Sequence, residues 1–95
     1  MTLDGETRRR LRAEGQRISA TVSLGKDGMT EGVVSELDAQ LKRNHLVKVR
    51  VQRSVVADGP GGKDAQAMEL AETLGAELVE RRGNTVLLYR RRKVA

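Results

Sequence analysis

The chain lacks several residue types on which common kinds of functional site depend. Its 95 residues contain no cysteine, one proline, one histidine (His45) and one residue of the Phe, Trp and Tyr group (Tyr89). Without cysteine there are no disulfides or thiolate metal sites, and one histidine excludes a zinc site built from several imidazoles. With one tyrosine, a row of bases stacked on aromatic side chains is all but excluded.

Long apolar segments are also missing. No stretch approaches the ~20 apolar residues that span a bilayer. The N-terminal region carries Arg8–Arg10 with no apolar run behind it, so it does not resemble an export signal. We therefore expect a cytoplasmic protein. Hydrophobic residues are 38% of the chain, enough for one folded domain over residues 1–95, with a core from about 6 to 91 and a basic tail over 91–95.

Positive charge dominates, and it is segregated along the chain. Eighteen Lys and Arg against thirteen Asp and Glu give a net charge of +5. Residues 1–53 hold eleven bases and seven acids, residues 54–80 one base and six acids, and residues 81–95 six bases and no acid. Long basic side chains can simply keep a small domain soluble. The segregation favours the other interpretation, a polyanionic partner, most often nucleic acid.

Hydrophobic periodicity and turn residues predict seven elements. They are a helix over 6–16, a strand over 18–24, a helix capped by Thr30 and running to about 44, a strand over 46–52, a helix from 62 or 64 to 74, and strands over 77–82 and 85–90. The order α-β-α-β-α-β-β predicts an α+β fold, a two-layer α/β sandwich with a mixed four-stranded sheet.

The last two strands are predicted to form a hairpin around Gly83-Asn84. Counting outward from this two-residue turn pairs Val79 with Leu88 and Leu78 with Tyr89. This hairpin also presents Leu78, Leu87 and Tyr89 as an apolar face, which either a helix of the domain covers or a protein partner uses.

The sharpest local feature is Gly25-Lys26-Asp27-Gly28, which joins a predicted strand to the start of a helix. Two glycines permit a tight turn and close approach of a ligand, Lys26 supplies a charge for a phosphate oxygen, and the Thr30-capped helix N-terminus offers free N–H groups. Together these would hold a sugar-phosphate backbone. Most such tetrads are ordinary turns, however, and the Asp27 carboxylate repels phosphate unless it points away or caps the turn.

Further basic residues could extend such a surface. Lys48 and Arg50 share one side of the strand over 46–52, opposite the valines that face the core. The first helix carries Arg8, Arg9 and Arg12. No arrangement of residues indicates catalysis: His45 follows a helix end, and none of the serines has the context of a nucleophile. We therefore expect no enzyme, cofactor, metal or small-molecule substrate.

Two parts of the sequence carry a family resemblance. The run LGKDGMTE over 24–31 with LVKV over 46–49, and AETLGAELV over 71–79 with GNTVLLYR over 83–90, resemble in order and spacing the YhbY family, or CRM domain (chloroplast RNA splicing and ribosome maturation). The resemblance implies an RNA-binding domain. It implies a fold similar to the C-terminal domain of translation initiation factor three, with a KH-like GxxG loop at Gly25–Gly28.

Three hypotheses follow. In the first, the chain binds structured RNA, ribosomal RNA or large-subunit precursors, in ribosome assembly, as the resemblance implies, without catalysis. The contacts come from Gly25, Lys26, Asp27, Gly28, Thr30, Lys48, Arg50, Arg8, Arg9 and Arg12. In the second, it is a protein-interaction adaptor that uses the hairpin face. In the third, it binds duplex DNA.

Overall fold

A computed structural model describes residues 3–24, 30–51 and 62–91. Three helices and four strands follow the predicted order. They are α1 (Gly5–Gly15), β1 (Val22–Leu24), α2 (Glu31–Arg43), β2 (Leu46–Val51), α3 (Gly62–Leu74), β3 (Glu77–Arg82) and β4 (Thr85–Tyr89). The predicted α+β class and the element order are confirmed.

Local signals set the helix ends. The Asp4 carboxylate accepts a hydrogen bond from the Thr7 N–H at 2.7 Å at the start of α1. The predicted Thr30 cap is confirmed, because its hydroxyl accepts from the Val33 N–H at 3.2 Å. At the end of α3, Gly75 adopts a φ of 62°, a backbone conformation that glycine reaches without strain.

The strands form one mixed sheet in the order β1-β2-β4-β3. β1 runs parallel to β2, while β2–β4 and β4–β3 are antiparallel. The parallel pair is possible because α2 crosses over between its two strands. The predicted mixed four-stranded sheet is therefore confirmed.

Helices lie on both faces of this sheet. α2 and α3 cover one face and form the main core with it, which includes Leu37, Val49, Leu70 and Leu88. These two helices and the sheet are the predicted two layers. α1 adds a partial third layer, because Leu11 packs on the opposite face against a cluster of Leu46, Val79 and Leu87.

The first strand is shorter than its sequence pattern predicts. Only Val22–Leu24 is strand, and the prediction of strand over 18–21 is wrong. The N–H groups of Arg17 and Ile18 turn back to the carbonyls of Glu14 and Gly15 at 3.0 and 3.3 Å. Ile18 lies in this turn, not in a strand, and its half-buried side chain packs against the Leu11 cluster.

The hairpin register also differs from the prediction. Arg82 pairs with Thr85 as expected, but Leu78 pairs with Leu88, and an irregularity lies between Leu78 and Glu80. The predicted Val79–Leu88 and Leu78–Tyr89 pairs are wrong. The bulge exchanges the faces of these two β3 residues relative to an unbroken ladder, so that Val79 enters the cluster on the α1 side and Leu78 packs against the main core.

Candidate nucleic-acid interface

A polar row reaches across all four strands on the α1 side of the sheet. The register aligns one residue each from β1, β2, β4 and β3, namely Ser23, Arg50, Thr85 and Arg82. We call these four residues the sheet row. Because side chains alternate along a strand, they point to the same side as Leu87. α1 covers Leu87 but not the row, so both arginines are exposed.

The sequence pattern predicted only Arg50 of this row. Arg82 was missed because its proximity to Arg50 depends on the pairing of β2 with β4, in which Arg50 and Thr85 are 35 residues apart in the chain. The two-residue hairpin turn already places Arg82 opposite Thr85. No local signal, however, shows which strand lies beside β4.

Lys48 lies two residues before Arg50 in β2, on the same face of the sheet, and pairs with Leu87. It is half-buried, since Leu87 is covered by α1. Lys48 lines a groove of about 480 Å³ between the ends of α1 and α2, together with Thr21, Gln40 and His45. Lys48 and Arg50 thus lie on one face, as predicted, but Lys48 lines a groove whereas Arg50 lies on the open part of the sheet.

The four residues Gly25, Lys26, Asp27 and Gly28 lie outside the described residues. Their flanks are described: Leu24 pairs with Val51 at the end of β1, and Thr30 caps α2. Arg50 precedes Val51, so the exposed arginine is next to the strand end from which this segment begins. The flanks are consistent with the predicted strand-to-helix position of the tetrad.

The arginines of α1 divide into two groups. Arg8 is half-buried, and its Nη1 donates to the carbonyl oxygens of Leu78 and Val79 at 2.8 and 2.7 Å, at the β3 bulge. Arg9 and Arg12 are exposed. Arg8 therefore ties α1 to β3, whereas the side chains of Arg9 and Arg12 face solvent.

Comparison with known proteins places the chain in a family. The family model of the CRS1 / YhbY (CRM) domain matches residues 3–90. The chain belongs to this family. The family resemblance seen in the sequence is thereby confirmed. The matched region includes both parts of the sequence that carried this resemblance.

Relatives of this CRM domain carry RNA-binding names. Probable RNA-binding protein MJ0652 of Methanocaldococcus jannaschii is 35% identical over 91 residues, which are 96% of this chain and 66% of that protein, so the chain spans just under two thirds of it. Probable RNA-binding protein YqeI of Bacillus subtilis is 28% identical over 96% of this chain and 91% of its own length.

A solved structure supports the same fold for the CRM domain. The solution structure of the hypothetical protein SAV1595 from Staphylococcus aureus superposes with a TM-score of 0.79 at 29% identity. The alignment covers 98% of this chain and 93% of that one. The α+β architecture is therefore shared over nearly the whole length of both chains.

Arg90, the first of the four basic residues near the C-terminus, is held by the CRM fold. Its Nη1 donates to the Asp38 carboxylate at 2.8 Å and to the Leu74 carbonyl at 2.9 Å, and its Nη2 donates to the Asp38 carbonyl at 3.0 Å. The Arg90 hydrogen bond, followed by that of Lys42, lowers the pKa of Asp38 below its ordinary value of 3.8. Arg90 thus joins α2, α3 and the end of β4.

His45 occupies the helix-end position that the sequence indicates. Its Nε2 lies 2.9 Å from a carboxylate oxygen of Glu14, and its ring meets the Tyr89 ring edge-on at 5.9 Å between centroids. The single aromatic of the CRM domain is therefore half-buried beside the histidine.

The apolar hairpin face is covered. Leu87 is 3% exposed and packs against Leu11 of α1, while Leu78 packs against the core on the other face. The prediction that Leu78, Leu87 and Tyr89 share one face is therefore wrong, because of the bulge in β3, and the part of the face around Leu87 is covered by a helix of the same domain. The adaptor hypothesis loses the surface on which it was based.

The described residues contain neither a candidate metal site nor a membrane-spanning helix. Across 3–24, 30–51 and 62–91, no three or more His, Cys, Asp or Glu side chains are grouped so that they could hold a metal ion. None of the helices described is long and apolar enough to cross a membrane.

Proposed function

We propose that this chain is a non-catalytic RNA-binding protein that acts in the cytoplasm on ribosomal RNA or precursors of the large ribosomal subunit. It holds the RNA backbone with the Gly25–Gly28 segment and with the basic side chains around it. RNA as the partner is supported by the RNA-binding names of its relatives. The ribosomal target comes from the family resemblance of the sequence.

One observation carries the proposed mode of binding. Arg50 is exposed and adjoins Val51, the partner of Leu24, which immediately precedes Gly25. The Thr30-capped end of α2 follows the same segment, and a helix N-terminus favours phosphate. The tetrad is thus flanked by an arginine and by a helix end that both suit an anion.

We assign the other predicted residues by their surroundings. Lys48, Arg9 and Arg12 contribute phosphate contacts or long-range attraction. Arg8 contributes less, because one of its nitrogens is already bonded to two β3 carbonyls. Base reading is limited, since the only aromatic residue is half-buried.

Binding of this kind depends steeply on salt. Each neutralised phosphate contributes a slope of about −0.7 to −0.9 to the dependence of log K on log salt concentration. With about five contacts, raising salt from 50 to 200 mM weakens binding roughly 100- to 500-fold. A titration of structured ribosomal RNA measured by fluorescence anisotropy checks this. An affinity that barely changes with salt contradicts the proposed mode.

The contribution of the tetrad is tested by Lys26→Glu. The reversal places a second carboxylate beside Asp27, so we expect a loss of RNA affinity of at least 10-fold with an unchanged circular dichroism spectrum. Lys42→Glu is the control, because Lys42 is exposed on α2 and pairs with Asp38. Equal losses in the two variants would show that the tetrad has no special role.

The nature of the target is tested separately. Competition between matched RNA and DNA duplexes distinguishes the proposal from DNA binding, and RNA must compete better. Crosslinking in cells maps the bound RNA, and we expect ribosomal RNA to be enriched over messenger and transfer RNA. A pull-down whose partners survive nuclease treatment, with no RNA binding in vitro, would instead support an adaptor.

A further inference from the structure

We propose that the sheet row forms a second RNA contact, on the open sheet face, and that the RNA it binds is an A-form duplex. This inference rests on the proposed function, since it names the class of RNA and adds Arg82, Ser23 and Thr85 to the surface. It is carried by the strand register and by the residue types that the register brings together.

The geometry of the sheet row suits a sugar-phosphate backbone. Neighbouring strands are about 5 Å apart, so Arg50 on β2 and Arg82 on β3 are separated by roughly 10 Å, with Thr85 between them. Ser23 extends the row to β1 on the other side. The row therefore alternates hydroxyl and guanidinium groups across the full width of the sheet.

Both guanidinium groups are available to a ligand. Within the ranges that the structure describes, the side chains of Arg50 and Arg82 are exposed and neither makes a hydrogen bond or an ion pair. On the same face, Lys48 lies two residues from Arg50 on β2, and Glu80 lies two residues from Arg82 on β3. Arg50, Arg82 and Lys48 are positive and Glu80 is negative, so these four residues carry a net charge of two positive units.

The hydroxyl groups add acceptors to these donors. The Thr85 Oγ1 donates to the Arg82 carbonyl at 2.8 Å, so its proton is used while its oxygen can still accept a hydrogen bond. The Ser23 side chain is exposed. A ribose 2′-hydroxyl can donate to either oxygen, and an arginine can donate two parallel hydrogen bonds to a phosphate.

The sheet row contains no aromatic side chain, and this composition favours duplex RNA over a single strand. Single-stranded RNA is held largely by bases stacked on aromatic rings, whereas an A-form helix is recognised through its phosphates and 2′-hydroxyls. Tyr89, the only Phe, Trp or Tyr residue of the chain, lies four residues along β4 from Thr85 and contacts His45. The sheet row therefore suits a backbone whose bases are already paired.

The test compares two double variants of equal charge. Arg50→Gln with Arg82→Gln removes both charges of the row, and Arg17→Gln with Arg91→Gln removes two exposed charges outside it. Fluorescence anisotropy measures binding of a 16-base-pair RNA duplex, a single strand of the same length and the matching DNA duplex. Thermal melting confirms that both variants keep the fold.

We expect the row variant to bind the RNA duplex at least 10-fold more weakly, with a salt slope less steep by about 1.5, since two phosphate contacts are lost. The control should lose less than 3-fold. Wild-type protein should prefer the RNA duplex to the single strand and to DNA. Equal losses in the two variants, or a preference for the single strand, would overturn this inference while RNA binding itself stands. A wild-type chain that binds no RNA would overturn the proposed function as well.

Discussion

At the scale of single residues, the closest approach of α1 to the sheet is at Gly15. A Cβ placed there would lie 2.5 Å from Leu87 Cδ2 and 2.9 Å from its Cδ1. Leu87 is 3% exposed, so its methyl groups have little room to move. The missing side chain at Gly15 is therefore what allows the last turn of α1 to lie on β4.

We expect Gly15→Ala to lower the free energy of unfolding by about 1–2 kcal/mol. Overpacking costs about 1–3 kcal/mol, and the higher helix propensity of alanine offsets up to ~1 kcal/mol of it. Gly32→Ala is the control, because a Cβ at Gly32 finds only the Thr30 hydroxyl, at 3.8 Å. Urea denaturation should show Gly32→Ala to be neutral or stabilising. A stabilised Gly15→Ala protein would contradict the close packing.

At the scale of elements, two arginines connect parts of the chain that are distant in sequence. Arg8 joins α1 to the β3 bulge through the carbonyls of Leu78 and Val79. Arg90 joins β4 to α2 and to the C-terminal end of α3 through Asp38 and Leu74. In the sequence each belongs to a run of basic residues, Arg8–Arg10 and Arg90–Lys93, but in the structure both are part of the scaffold.

The role of Arg8 predicts a separation between stability and binding. Arg8→Met keeps the apolar stem and removes two hydrogen bonds, so the free energy of unfolding should fall by about 1–2 kcal/mol. Arg9→Met, which changes an exposed residue of the same helix, should alter stability by less than ~0.5 kcal/mol.

Chemical denaturation checks the stabilities of the two variants, and anisotropy checks their RNA affinity. We expect Arg8→Met to weaken binding no more than Arg9→Met does. If Arg8→Met leaves stability unchanged but weakens binding much more than its neighbour, Arg8 belongs to the interface instead.

At the scale of the whole molecule, acid stability depends on carboxylates that the fold keeps ionised. A hydrogen bond from the Thr7 backbone lowers the pKa of Asp4 below 3.8, and Arg90 and Lys42 do the same for Asp38. The unfolded chain therefore binds protons at a higher pH than the folded chain. Stability from these groups is complete above the unfolded pKa, and it is lost as pH falls from about 5 through the folded values.

We expect the free energy of unfolding to fall between pH 5 and pH 3, and to fall less in the double variant Asp4→Asn with Asp38→Asn. Asparagine does not titrate, and at position 4 it remains a good helix cap. Urea titrations at several pH values measure the slope. A double variant that loses as much stability as the wild type over this range would show that other carboxylates control acid unfolding.

Much of the fold was predictable because its signals are local. The alternation of Val47 and Val49 with Lys48 and Arg50 indicated both the strand and its two faces. The Thr30 cap, Gly75 and the Gly83-Asn84 turn marked the ends of elements correctly. Each of these features depends on hydrogen bonds or side-chain directions within a few residues, so the sequence alone contains them.

Other features depended on partners distant in the chain. The alternation of residues 18–24 predicted a long strand, but Ile18 is half-buried in a turn that packs on the α1 side. Regular counting predicted an unbroken hairpin, but the ladder bulges, so that Val79 enters the α1-side cluster and Leu78 packs against the main core, the reverse of the predicted faces. In both cases burial by a remote element outweighed the local pattern.

The sequence by itself determined the segregation of charge, the exclusion of disulfides, thiolate metal sites and multi-histidine zinc sites, and the ends of most elements, because these follow from composition and short-range bonding. Only the tertiary structure decided which basic residues are free. It placed Arg82 beside Thr85 and Arg50, and it bound Arg8 and Arg90 to carbonyl groups more than ten residues away. The physical reason is that a guanidinium group donates hydrogen bonds to whichever acceptors folding brings near it. Where folding brings none within the residues that the structure describes, as at Arg50 and Arg82, the group can bind a ligand.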